Sequence, residues 1–201
     1  MSKVYLIDDD EDIRQYIATI LQSMKISVIQ FSSAAEFLQN YSNEMCGCIL
    51  SDVLMPDMDG LALQNELLTR QITLPLILMS GHGDIGIVKA ALKKGAVDFL
   101  EKPLDIKELV DVIKQGVSIA ESRNHIDTEQ QLLRQKIESL TERENQILEY
   151  LVAGNNNKAI AKLLHISTRT VETHRNRILK KMQFTSFQDF IHFSHKISFF
   201  D

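Results

Sequence analysis

The strongest constraint on the fold is an alternation of short apolar segments with segments of helical periodicity in the first 117 residues. The apolar segments lie at 3–8, 27–31, 48–53, 74–80 and 96–100. The helical segments lie at 12–24, 34–41, 60–70, 84–94 and from 105 onward. Short apolar runs bounded by turn residues are typical of buried parallel strands, which need helical crossovers between them. The pattern predicts an α/β fold, a doubly wound five-stranded parallel sheet with helices on both faces.

The rest of the chain has helical patterns alone. Residues 118–138 are polar and lack Gly and Pro, which predicts a helical linker. A capping box of Thr141 and Glu144 predicts the start of a helix. Further helices are predicted near 157–164, 168–182 and 186–195. We therefore predict three parts, namely a domain over 1–117, the linker over 118–138 and an all-α four-helix domain over 139–201.

The net charge of −5 conceals an asymmetry along the chain. Residues 1–118 contain 10 Lys and Arg against 17 Asp and Glu, whereas residues 119–201 contain 12 against 10. Within 155–182 there are seven basic residues and one acidic residue. This local excess predicts a polyanion as the partner of the C-terminal domain.

Composition also predicts where the protein acts. No apolar run approaches the ~20 residues that span a bilayer, and the N-terminus lacks the basic and apolar regions of a signal peptide. The two cysteines, Cys46 and Cys48, are too few for a disulfide scaffold. These features predict a cytoplasmic protein without a membrane partner.

Polar residues cluster where the predicted strands end. The first strand ends at Asp8 and Asp9, the third at Asp52 and the fourth at Ser80, and Lys102 follows the fifth. The carboxyl ends of parallel strands meet at one edge of the sheet, so these side chains should converge. Crowded carboxylates are tolerable around a hard cation such as Mg²⁺, which prefers oxygen ligands. The set predicts a magnesium site for phosphoryl transfer, with Asp52 as the nucleophile.

The residues 1–117 resemble the receiver domain of two-component response regulators. The stretches SDVLMPDMDG and EKP match its phosphoacceptor and Lys-Pro signatures. The resemblance implies that a sensor histidine kinase phosphorylates Asp52. It also implies that Asp9 and Asp52 bind Mg²⁺ together with the carbonyl of Leu54, and that Asp8 assists through water.

The same resemblance implies roles for residues near the strand ends. Lys102 would pair with the phosphoryl group, and Ser80 and Phe99 would occupy the switch positions. A cis peptide bond is expected before Pro103.

The segment 168–182 has two distinct faces when it is drawn as a helix. Val171, His174, Ile178 and Met182 share one side, and Arg169, Glu172, Thr173, Asn176 and Lys180 share the other. A helix with such a polar face, preceded by a short helix and a turn, is what a reader of the DNA major groove needs. The base-reading residues are predicted to be Glu172, Thr173 and Asn176. The predicted phosphate contacts are Lys158, Arg169, Thr170, Arg177 and Lys180.

The residues 139–195 are also similar to the DNA-binding domain of LuxR-type regulators, through TERE, GNNNKAIA, STRTVETH and KKM. Together the two domains resemble the NarL/FixJ family of response regulators, and GHGDI and GAVDFLEKP favour the FixJ type. The family resemblance implies that phosphorylation promotes a homodimer through the 84–94 helix, with Ile87, Val88 and Ala91 as the candidate contacts. It further implies promoter DNA as a partner, with RNA polymerase as another candidate.

Two alternatives remain at this point. One is a DNA-binding regulator whose receiver is controlled by protein contact without phosphoryl transfer. The other is a phosphatase with an aspartyl-phosphate intermediate, which needs an acid two residues after the nucleophile, where this chain has Leu54. No GxxxxGK[ST] motif is present either. We therefore predict no enzyme activity beyond Mg²⁺-dependent self-phosphorylation and slow self-dephosphorylation.

Overall fold

The computed structural model describes residues 3–81 and 85–199, apart from the side chains of Ile85 and Ile87. These residues form two compact units, and the division between them falls after Asn124. The division falls inside the segment 118–138 that the sequence predicts as a linker.

The first unit contains a five-stranded sheet in which all neighbouring strands are parallel. Its strands are β1 (Lys3–Ile7), β2 (Ser27–Phe31), β3 (Gly47–Asp52), β4 (Leu76–Ser80) and β5 (Asp98–Glu101), in the order β2-β1-β3-β4-β5. This confirms the predicted doubly wound sheet. Strand β5 begins two residues later than predicted, because Gly95 has a φ of 93° and the Ala96 N–H still donates to Ala91 O of the preceding helix.

Helices connect the strands and cover both faces of the sheet. They are α1 (Glu11–Ser23), α2 (Ala34–Asn40), α3 (Gly60–Thr69), α4 (Ile85–Lys93) and α5 (Ile106–Glu138). Residue 84, predicted as the start of α4, lies outside the described residues. The predicted linker is helical and forms the last 21 of the 33 residues of α5.

Alternation along the strands builds two apolar cores. Tyr5 and Ile7 of β1 point into one core, and Val4 and Leu6 point into the other. All four side chains are at most 1% exposed. A slip of one residue in the pairing register would exchange the side chains that fill the two cores, and both cores would have to repack around residues of the wrong size, which disfavours the slip. The register therefore fixes which residues reach the carboxyl edge of the sheet.

Up to residue 199, where the description ends, the second unit contains the C-terminal part of α5 and four further helices. These are α6 (Glu142–Val152), α7 (Asn157–Leu163), α8 (Thr168–Met182) and α9 (Phe187–Lys196). The predicted capping box is present, with the Thr141 hydroxyl accepting from the Glu144 N–H and the Glu144 carboxylate accepting from the Thr141 N–H. The turn between α7 and α8 contains His165 at a φ of 52°. These helices share one core that includes Leu133, Ile147 and Val171.

Across the described residues, every helix is too short or too polar to be a candidate membrane span.

Candidate phosphorylation site and nucleic-acid interface

The carboxyl edge of the sheet brings three aspartates together. Asp8 follows β1, Asp52 ends β3, and the pairing of Ile7 with Ser51 sets them side by side. One carboxylate oxygen from each of Asp8, Asp9 and Asp52 lies within 4.8 Å of the other two. Asp8 is fully buried and Asp52 is 7% exposed, whereas Asp9 is exposed. The convergence that the sequence predicted is therefore present.

Lys102 lies among these carboxylates. Its Nζ is 2.8 Å from Asp8 Oδ2 and 3.2 Å from Asp52 Oδ1. Its backbone N–H donates to Ser80 O at 2.8 Å, which ties the end of β5 to the end of β4. The Lys102–Pro103 peptide bond is cis, as the resemblance implied. The lysine thus partly neutralises a buried pair of acids that would otherwise repel each other.

Burial and charge oppose each other at this site. Burial, helped by the Asp8 charge, raises the pKa of Asp52 above its ordinary value, although Lys102 pulls it down. Burial alone would lower the pKa of Lys102, but its hydrogen bonds and attraction to Asp8 and Asp52 raise it overall. The site therefore favours a charged ammonium beside a partly desolvated carboxylate, which suits transfer of an anionic group.

Arg14 is a further residue at this edge, and sequence reasoning missed it. Its Nη1 donates to the backbone carbonyl of Asp8 at 2.6 Å. The Asp10 N–H donates to Asp8 Oδ1 at 3.0 Å, and the Asp10 carboxylate caps α1 by accepting from the Asp12 and Ile13 N–H groups. The acidic run after β1 is thus divided between the site and the start of a helix. No motif marks Arg14, because its partner is a backbone atom.

Gly60, the first residue of α3, packs against the backbone of the Asp52 segment. Its N–H donates to Val53 O at 2.9 Å, and a Cβ placed on it would lie 2.6 Å from the Asp52 carbonyl oxygen. That distance is shorter than any relaxed contact, and the neighbour is backbone.

Replacing Gly60 by alanine is expected to push Asp52 out of place. We expect the free energy of unfolding of the first unit to fall by roughly 1–3 kcal/mol and phosphorylation by a small phosphodonor to slow. Gly81→Ala is the matched control, since a Cβ there meets nothing within 4 Å. Equal stability of the two variants in urea titrations would contradict the steric argument.

Other predicted residues of the first unit lie in varied surroundings. Ser80 is 3% exposed at the end of β4, and Phe99 is half-buried in β5 against the core of Tyr5 and Ile7. The Leu54 side chain is 61% exposed beside the site. Their roles as switch and metal-binding residues stay predictions.

The predicted dimer contacts on α4 need a correction. Ala91 is fully buried in the core beneath α4, so it presents no surface to a second chain. Val88 is half-buried, and the side chain of Ile87 lies outside the described residues. Leu92, which the sequence reasoning did not select, is 42% exposed on the same helix. The helix phase explains the difference, because neighbouring residues point about 100° apart.

Helix α8 has the two faces that its sequence predicted. Val171, Ile178 and Met182 are buried, and His174 is half-buried. The polar side is exposed at Arg169, Glu172, Thr173, Asn176, Arg177 and Lys180. Ser167 caps the helix by accepting from the Thr170 N–H at 3.0 Å. Lys158 is exposed in the first turn of α7, and it lines a groove of about 580 Å³ together with Glu172 of α8.

Comparison with known families assigns both parts of the chain. Residues 4–114 match the model of the response regulator receiver domain, and residues 138–194 match that of bacterial regulatory proteins of the luxR family. Response regulator protein TodT of Pseudomonas putida is 37% identical over 196 residues, covering 98% of this chain and 86% of TodT. Transcriptional regulatory protein FixJ of Bradyrhizobium diazoefficiens is 37% identical over 188 residues, covering 94% and 92% of the two chains.

Solved structures give the same assignment. Response regulator StyR is 35% identical with a TM-score of 0.84, covering 97% of this chain and 98% of StyR. Full-length FixJ from B. japonicum is 34% identical with a TM-score of 0.60, covering 100% and 98%. A receiver domain with its aspartates and lysine in place is therefore joined to a LuxR-type helical domain. This chain belongs to the two-component response regulators that regulate transcription, in the class that includes FixJ.

Proposed function

We propose that a sensor histidine kinase phosphorylates Asp52 and that this switches DNA binding by the second unit. The observation that carries the proposal is the buried Asp52 carboxylate, with Lys102 at 3.2 Å and two further carboxylates beside it. In the transfer, an Asp52 oxygen forms a bond to phosphorus as the bond from phosphorus to the kinase histidine breaks. Since the partner is promoter DNA, the protein acts in the cytoplasm.

We propose that Mg²⁺ assists at this site. Asp8, Asp9 and Asp52 supply only oxygen donors, which are the ligands that Mg²⁺ prefers. Asp9 and Asp52 would hold the ion, with the carbonyl of Leu54, and Asp8 would contribute through water. When bound, the ion neutralises negative charge on the phosphoryl oxygens.

Lys102 would change its partner during the transfer, from the Asp52 carboxylate to the phosphoryl group. Phosphorylation removes the negative charge of the Asp52 oxygen that Lys102 now contacts, while Asp8 at 2.8 Å keeps the ammonium in place. Lys102 can then pair with a phosphoryl oxygen. The Ser80 carbonyl accepts a hydrogen bond from the Lys102 N–H. The Ser80 hydroxyl would move toward the phosphoryl oxygens, and Phe99 would then move inward.

Phosphorylation is proposed to produce a dimer through α4 and β5, with Val88 and Leu92 as apolar contacts. Two DNA-binding units in one assembly would engage two half-sites together and raise the overall affinity. RNA polymerase remains a further candidate partner.

The dimer predicts a change in sedimentation. We expect the phosphorylated protein at micromolar concentration to sediment as a dimer, and the Leu92→Ser variant to remain a monomer. Leu68→Ser on α3 is the matched control, since Leu68 is 56% exposed on a different helix. A phosphorylated protein that stays monomeric with and without DNA would refute dimerisation.

We propose that α8 reads bases with Glu172, Thr173 and Asn176. Glutamate accepts from the cytosine amino group, asparagine pairs with adenine, and the threonine methyl contacts that of thymine. The exposed cations around them, together with Thr170, would contact phosphates and fix the docking register.

The two kinds of contact predict different losses. Asn176→Ala is expected to cost roughly 1–3 kcal/mol on a duplex selected by the protein from a random pool and to relax base preference there. Lys180→Ala should weaken binding to the selected and scrambled duplexes alike. It should also reduce the slope of the logarithm of the affinity against the logarithm of the salt concentration, the salt slope, by about 0.9. Titrations of both variants at several salt concentrations test this. Equal losses on both duplexes for Asn176→Ala would show that α8 reads with other residues.

A further inference from the structure

Arg175 connects three helices of the second unit. It belongs to α8, its Nη1 donates to Asn157 Oδ1 at the start of α7 at 3.2 Å, and its guanidinium carbon lies 5.5 Å from the centre of the Phe187 ring at the start of α9. Within the described part of the chain, no carboxylate lies within 4.0 Å of this guanidinium. Arg175 is one of the seven basic residues within 155–182, but in the structure its guanidinium contacts the neutral side chains of Asn157 and Phe187.

The opposite end of α7 is held in the same way. Arg143 of α6 donates through Nη2 to the carbonyl of Leu164, the C-cap of α7, at 3.0 Å. The other terminal nitrogen of Arg143 donates to Gln146 Oε1 at 2.9 Å. Helix α7 has only seven residues, and such a short helix relies on tertiary contacts for its orientation. Each end of α7 is therefore contacted by a different guanidinium group, that of Arg175 at the start and that of Arg143 at the end.

We propose that Arg175 is a positioning residue for DNA readout, setting the angle of α7 against α8. This rests on the proposed DNA-reading role of α8. Lys158 follows Asn157 directly, while Glu172 and Asn176 lie on the exposed side of α8. Sequence-specific binding needs both groups to meet one duplex in register, whereas binding to any DNA needs mainly positive charge. A guanidinium is planar and offers both a stacking face and in-plane donors, which a lysine does not.

Titration of variants can tell whether Arg175 is a positioning residue or a phosphate contact. Full-length Arg175→Ala, Arg175→Lys and Phe187→Leu proteins are titrated against the selected duplex and its scrambled control at several salt concentrations. For Arg175→Ala we expect the affinity for the selected duplex to fall roughly five- to thirtyfold, with a much smaller loss on the scrambled duplex. Arg175→Lys keeps the charge and should keep the scrambled affinity, but it should lose the preference for the selected duplex.

Phe187→Leu gives the decisive control, because it changes no charge. We expect Phe187→Leu to lose a large part of the preference for the selected duplex, while the dependence of its affinity on salt concentration stays unchanged. In the double variant Arg175→Ala/Phe187→Leu, the loss should be smaller than the sum of the two single losses, since both changes break the contact between the guanidinium and the ring. If Arg175→Ala is poorly folded, Phe187→Leu and Arg175→Lys still decide the question.

Two results would overturn the inference in different ways. Equal losses on both duplexes with a salt slope lower by about 0.9 for Arg175→Ala, and no effect of Phe187→Leu, would make Arg175 a direct phosphate contact. A wild-type protein that binds both duplexes equally would remove the proposed reading role and this inference with it.

Discussion

Replacing Asp52 by asparagine is expected to abolish phosphorylation of the chain. The amide lacks the anionic oxygen that attacks phosphorus, while the size of the side chain and the contact of its oxygen with the Val53 N–H are kept. Incubation with Mg²⁺ and a small phosphodonor should give the wild-type protein a mass gain of one phosphoryl group. The Asp52→Asn variant should show none by mass spectrometry.

The matched control for this change lies in the loop that follows Asp52. Asp57→Asn removes one negative charge at an exposed position, and its φ of 65° suits asparagine as well as aspartate. We expect this variant to be phosphorylated like the wild type. Full phosphorylation of Asp52→Asn at another residue would refute the assignment, and a wild-type protein that gains no mass would favour control by protein contact.

The fold was predictable because local patterns and burial agree in this chain. Alternating residues of β1, such as Tyr5 and Leu6, enter opposite cores, so the apolar runs mark buried strands directly. Helix caps at Asp10 and Ser167 lie where the sequence has capping residues. The start of β5 was missed by two residues, because the turn after Gly95 depends on hydrogen bonds to α4 that no pattern reveals.

The candidate site also contains some residues that the sequence predicts and others that it does not. Asp8, Asp52 and Lys102 were predictable because they follow strands whose ends must meet at one edge. Arg14 was not, since it binds a backbone carbonyl, and the role proposed for Arg175 depends on how three helices meet. Ala91 was misplaced because apolar character alone does not tell the buried side of α4 from the exposed side.

The other large effect is expected at Glu144, where α6 and α8 are joined. The residue is 3% exposed, and its carboxylate accepts from Lys181 Nζ at 2.6 Å and completes the cap of α6 through the Thr141 N–H. Burial by itself would raise the pKa of Glu144, but the hydrogen bonds from Lys181 and Thr141 lower it to about 2. Its pKa in the unfolded chain is the ordinary 4.5, so folding favours the charged form.

This difference predicts how stability depends on pH. A carboxyl whose pKa is lower in the folded state stabilises it above the unfolded pKa and loses that contribution as the pH falls. The shift corresponds to about 3 kcal/mol, and solvent around the partly exposed Lys181 side chain screens part of it. Glu144 should therefore contribute about 2–3 kcal/mol to the second unit above pH 4.5, and almost none near pH 2. The free energy of unfolding, followed in urea by NMR signals of α6 and α8, measures it in the full-length protein.

Glu144→Gln isolates the charge, because glutamine still fits the capping box. We expect this variant to be about 2–3 kcal/mol less stable than the wild type at pH 7, with the gap closing between pH 4.5 and pH 2. Glu142→Gln removes an exposed charge from the same helix turn and should cost less than about 1 kcal/mol, the size of a helix-dipole effect. A gap between wild type and Glu144→Gln that stays constant with pH would mean that the Lys181 contact contributes nothing as an ion pair. Helix α8 would then be held against α6 by its other contacts and not by this pair of charges.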